Sequence, residues 1–85
     1  MWHIIWTPAA TREFDNLTRD VRESIYDALF QLAVHGRGDV TRLKGQYAGT
    51  FRLRVGSYRV RFDLLRDEGI LLILGADPRG SAYKP

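Results

Sequence analysis

The sequence predicts a small single domain of the α+β class, ordered β-α-α-β-β-β, with two N-terminal helices packed on one face of a largely antiparallel sheet. Three observations predict it. An apolar stripe of helical period follows residue 18, polar and apolar residues alternate strictly through 50–65, and an unbroken apolar run fills 70–76. At 85 residues there is room for one modest core and no second domain.

Residues 2–6, Trp-His-Ile-Ile-Trp, are aromatic and β-branched and read as a short first strand. Thr7-Pro8 then reads as a helix start, with Thr7 as N-cap and Pro8 at the first helical position. A short helix over 8–15 turns Ala10 and Phe14, with Leu17 after them, inward. Thr18 caps a second helix. In it Val21, Ile25, Ala28, Leu29 and Leu32 form one apolar stripe, while Arg22, Glu23, Asp27 and Gln31 take the wet side. Gly36 and Gly38 end that helix.

Residues 36–49 contain four glycines and read as one long loop. Phe51, Leu53 and Val55 then alternate with Arg52 and Arg54. Tyr58, Val60, Phe62 and Leu64 alternate with Arg59, Arg61 and Asp63. Gly56-Ser57 between the two segments fits a two-residue type II′ turn, with glycine first. Asp67-Glu68-Gly69 makes a second turn. The run 70–76 reads as a central strand covered on both faces, broken by Asp77-Pro78-Arg79-Gly80.

Composition closes off several chemistries. The chain has no cysteine, so it has no disulfide, thiol nucleophile or thiolate metal site. Two histidines, His3 and His35, are too few for a histidine-based zinc site without carboxylate help. No cofactor is expected. The longest apolar run falls far short of a bilayer span, and the N-terminus does not read as a secretory signal, so a cytoplasmic protein without membrane contact is expected.

The net charge of +3 hides a local block. Residues 37–62 carry Arg37, Arg42, Lys44, Arg52, Arg54, Arg59 and Arg61 against Asp39 alone. Arginine presents a rigid five-donor fork suited to phosphate and carboxylate, so an anionic partner is expected, nucleic acid first. A solvated basic face gives the same composition. The hairpin register separates the two readings. A two-residue turn places Arg54 opposite Arg59 and Arg52 opposite Arg61, with all four on the side away from the helices and only Asp63 nearby. Directly opposed like charges are unfavourable, and a docked anion reverses that term. Tyr58 falls on the apolar side by parity and reads as core. Trp2 and Trp6 share one side of the first strand and also read as core or its edge, while His35 sits where a helix C-terminus favours positive charge.

Leu43-Lys44-Gly45, the stretch Gly49-Thr50-Phe51-Arg52-Leu53-Arg54-Val55-Gly56-Ser57-Tyr58-Arg59-Val60-Arg61-Phe62, then Asp77-Pro78-Arg79 and Tyr83, together resemble the RelE/ParE superfamily of bacterial type II toxins. The likeness covers nearly the whole chain. It implies one of two activities on one scaffold. The RelE-like branch consists of ribosome-dependent mRNA endoribonucleases, in which the substrate's 2′-hydroxyl attacks the adjacent phosphate. The resemblance then implies catalytic roles for Arg52, Arg54, Arg59, Arg79 and Tyr83, with Arg61, Lys44 and Arg42 as further RNA-binding residues. Some members carry lysine where Arg52 and Arg54 stand. Arginine does not give up its proton, so the general base is left open, with Tyr83 as the nearby candidate. The ParE-like branch, which poisons DNA gyrase, is the alternative, as is a non-catalytic nucleic-acid- or protein-binding relative. Either toxin branch implies a cognate antitoxin, for which the hairpin edge near Phe51 and the loop 36–49 are the candidate docking surfaces.

Overall fold

In the computed structural model, which describes residues 1–45 and 49–78, the chain builds two helices and a five-stranded sheet. The elements are β1 (His3–Trp6), α1 (Pro8–Asp15), α2 (Arg19–His35), β2 (Asp39–Arg42), β3 (Phe51–Val55), β4 (Tyr58–Leu65) and β5 (Ile70–Pro78). The sheet order is β1-β5-β4-β3-β2. Only the β1–β5 pair is parallel. The predicted α+β architecture holds, with one strand more than the sequence showed.

Both helix starts follow their capping residues. Ala10 N–H donates to the Thr7 hydroxyl at 3.1 Å, and Val21 N–H donates to the Thr18 hydroxyl at 3.4 Å. At the other end of α1, Arg22 Nη1 donates to the carbonyl of Leu17 at 3.0 Å and of Asp15 at 3.4 Å. This satisfies acceptors that the helix terminus leaves over, and it makes Arg22 a half-buried brace rather than a wet-side residue. Gly36 closes α2 with φ 67°, the left-handed C-cap position that glycine fills without a Cβ penalty.

The core lies between α1, α2 and one face of the sheet. Ala10, Ile25, Leu53, Val60, Leu71 and Ile73 are each 0% exposed, with Phe14, Leu29 and Phe62 nearly so. Ala33, one turn beyond Leu29, completes the buried side of α2. Burying a Leu, Ile, Val or Phe side chain contributes about 1.5–3 kcal/mol. Trp6, Phe14 and Tyr26 form an edge-on aromatic chain between β1 and the helices, with ring centres 4.7 Å and 4.8 Å apart along it.

Two expectations change. The segment 36–49 is not one long loop. Asp39–Arg42 pairs antiparallel with β3, so the hairpin edge at Phe51 is covered rather than bare. All four β2 residues are exposed, so the strand lacks the apolar alternation that would have revealed it. Likewise β5 is an interior strand, lying between β1 and β4, but its large apolar side chains are fully buried only on the helix side. Leu71, Ile73 and Ala76 are buried, whereas Ile70, Leu72 and Leu74 are half-exposed. The strand also runs through Asp77 to Pro78. Within it the pairing jumps from Arg61↔Gly75 to Phe62↔Ile73, which leaves Leu74 as an extra residue, a bulge.

Candidate functional site

The hairpin has the expected register. Val55 pairs with Tyr58, Arg54 with Arg59, Leu53 with Val60 and Arg52 with Arg61. Gly56 has φ 58° and Ser57 has no positive φ, the signature of a type II′ turn. Because that turn fixes the pleat, Leu53 and Val60 go under the helices and the four arginines go to the opposite face. Tyr58 is half-buried on the apolar side, where it lines a cleft with Val55 and Val21.

The arginine face is less purely cationic than the sequence implies. Asp63 is not its only carboxylate. Asp39 stands directly opposite Arg54, and Asp77 directly opposite Arg59. Arg61 Nε donates to Asp77 Oδ2 at 2.9 Å, with the two side chains 24% and 14% exposed. A fourth carboxylate comes from α1. Glu13 Oε1 accepts the Ala76 N–H at 3.2 Å. Pairing between β1 and β5 stops at Trp6↔Ile73, so the β5 edge beyond it needs a substitute acceptor, and Glu13 supplies one.

Gly75 makes this arrangement possible. It lies across from Arg61 and is buried, and a Cβ there would come within 3.0 Å of both Arg61 Nη2 and Glu13 Oε1. The missing side chain leaves a floor over which the Arg61 guanidinium and the Glu13 carboxylate both extend. Glu13 and Gly75 had no functional signal in the sequence, and Asp77 entered only as part of the Asp77-Pro78-Arg79 stretch, with no role of its own. Each depends on a contact far along the chain, Glu13 with Ala76 and Asp77 with Arg61.

The structure therefore sorts the predicted residues. Arg52, Arg54 and Arg59 share one sheet face, with Arg54 exposed and the other two half-exposed. Arg61 shares that face but is held by Asp77. Arg42 does not belong there. It pairs with Phe51, so it projects to the helix side, with its Cζ 5.4 Å from the centre of the Phe51 ring. Lys44 lies just beyond the end of β2 and is exposed. Arg79 and Tyr83 lie outside the described residues.

The remainder of the same face changes character. Asp63 Oδ1 is buried without a hydrogen-bond partner among the described residues. Toward β1 the face becomes apolar, with Leu72, Ile70, Leu65 and Ile5 at successive positions. His3 stands at the far corner, two strands from β4 and level with Leu65. Among the described residues no cluster of His, Cys, Asp or Glu could hold a metal ion, and no helix is long and apolar enough to cross a membrane. The arrangement can grip a phosphodiester by several guanidinium forks and stabilise charge that builds on it.

Comparisons with known proteins bear on the family and the fold. The model of the family described as the ParE toxin of the type II toxin–antitoxin system, parDE, matches residues 4–83. A chain of the RelBE2 toxin–antitoxin complex from Mycobacterium tuberculosis is 24% identical, with a TM-score of 0.82 over 92% of this chain and 98% of that one. The isolated RelE toxin of E. coli is 14% identical, with a TM-score of 0.78 over 98% of this chain and 89% of its own. A YoeB/ParE toxin from Agrobacterium tumefaciens is 17% identical, with a TM-score of 0.77 over 93% and 99% of the two chains. These likenesses show the fold. No curated protein sequence matches the chain.

Proposed function

The chain belongs to the ParE toxin family of type II toxin–antitoxin systems, within the RelE/ParE superfamily, and from that premise we propose that it is a ribosome-dependent mRNA endoribonuclease. One observation carries the reading: the strand register gathers Arg52, Arg54 and Arg59 on a single solvent-facing sheet surface. The RNA 2′-hydroxyl attacks the adjacent phosphorus and the P–O5′ bond breaks. The products are a 2′,3′-cyclic phosphate and a free 5′-hydroxyl, and the proton lost from the 2′-oxygen balances the one gained at O5′. No water and no metal is consumed. The three arginines hold the phosphate and stabilise the charge on the pentacoordinate transition state. The family resemblance assigns Arg79 to the same task, and gives Tyr83 the role of stacking on a base or moving a proton. The carboxylate of Asp77 is ion-paired with Arg61 and holds that guanidinium on the arginine face.

A cognate antitoxin of acidic character, covering the arginine face, fits the same charge pattern. Several of the similar structures are toxin–antitoxin complexes, which supports a partner of this kind. The name of the matching family favours a second reading, inhibition of DNA gyrase.

Primer extension on mRNA from cells expressing the chain alone separates the two. The ribonuclease reading expects cuts inside translated codons, with growth arrest relieved by Arg59→Ala or Arg79→Ala. Intact mRNA with arrested supercoiling selects gyrase. Unimpaired growth with soluble wild-type protein refutes both.

A further inference from the structure

A second cationic site lies on the helix side of the sheet, away from the arginine face. Arg42, Lys44 and Arg66 line a cleft of about 610 Å³ together with Gly45, Gly49 and Phe51. All three cations are exposed, and none has a carboxylate within 4.0 Å among the described residues. Arg42 is anchored against the Phe51 ring, which in turn stacks on the buried Phe62 at 5.5 Å between ring centres. One of the three charges therefore has a packed aromatic floor. Parity explains why the cleft is separate: Thr41 pairs with Arg52 on the arginine face, and Arg42 pairs with Phe51 on the opposite one.

We propose that the Arg42–Lys44–Arg66 cleft is a second phosphate-binding site that takes the sugar–phosphate backbone of RNA, so that the protein grips RNA on both sides of the β2 edge. This rests on the reading of the chain as an RNA-acting toxin. The lining favours RNA over an acidic protein. A protein segment docks through buried apolar or aromatic anchors. Among the described lining residues Leu43 is buried, Phe51 is covered by Arg42 and Leu64 is half-buried, and the exposed side chains are the three cations. Nucleic-acid interfaces instead rely on clustered Arg and Lys on polar surface. The β2 edge between the two faces is exposed at all four residues, Asp39 to Arg42.

The test uses the full chain and a 2′-O-methylated uridine oligonucleotide, which cannot be cleaved. Affinity is measured against salt for wild type and for the triple variant Arg42→Gln/Lys44→Gln/Arg66→Gln. Each phosphate contact contributes roughly 0.7 to the salt slope for single strands, so the triple variant is expected to lose about 2. Amide NMR signals of Gly45 and Gly49 in the wild-type protein shift on titration with the same oligonucleotide, a readout that does not depend on the variant folding. An unchanged slope in a folded triple variant, or unmoved Gly45 and Gly49 signals, overturns the site. So does a triple variant that keeps its RNA slope but loses binding to poly-glutamate, which assigns the cleft to an acidic protein. Failure of mRNA cleavage in cells with the slope change intact removes the nuclease reading and leaves the site standing. Cleavage with an unchanged slope does the reverse.

Discussion

Replacing Gly75 with alanine tests the link between α1 and the arginine face. The backbone at Gly75 has no positive φ, so alanine costs nothing in conformation. Its Cβ, however, would lie within 3.0 Å of Arg61 Nη2 and Glu13 Oε1. Both are ends of flexible side chains, so the clash itself is relieved by moving them. The cost is the bonds they leave: Arg61 Nε to Asp77 Oδ2, and Ala76 N–H to Glu13 Oε1. Hydrogen bonds to charged groups contribute about 1.5–3 kcal/mol each. Both lie in partly exposed surroundings, so the lower end applies and the pair comes to about 3 kcal/mol. Alanine returns up to about 1 kcal/mol by stiffening the unfolded chain. A net loss near 2 kcal/mol lowers the Tm of so small a domain by about 8–16 °C. Thermal unfolding followed by circular dichroism measures it. In the background Glu13→Ala/Arg61→Ala, the same Gly75→Ala change becomes neutral or mildly stabilising, because nothing remains for the Cβ to displace. A Tm drop equally large in that background refutes the account, since the damage would then come from the strand itself.

Three further outcomes follow from the same geometry. Arg54→Ala leaves the Tm unchanged, because the side chain is exposed, and lowers the salt slope for single-stranded RNA by roughly 0.7, read by fluorescence anisotropy. Leu53→Ala empties a fully buried position between the sheet and α2 and costs about 2–5 kcal/mol in urea unfolding. Thr18→Ala removes the hydroxyl that accepts the Val21 N–H and costs about 1 kcal/mol, with Thr18→Ser restoring most of it.

The local devices were legible in the residues because each acts over a few positions. Thr7-Pro8 and Thr18 name their helices, since a cap needs only its own first turn. Gly56-Ser57 sets the hairpin register, and the period of two then decides which of residues 51–62 face the helices. Arg52, Arg54 and Arg59 were assembled on one surface by that arithmetic alone. What the sequence by itself determined is thus everything governed by short-range backbone geometry and by hydrophobic period. The tertiary structure decided the rest. It showed β2, whose four exposed residues carry no period because the strand buries neither face. It moved Arg42 to the far side through its pairing with Phe51. It also brought Asp77, Gly75 and Glu13 to Arg61 across separations of 14–48 residues. Such contacts have no local signature: a carboxylate on a helix and a glycine in a strand look ordinary until packing closes the chain and gives each an ionic or steric partner.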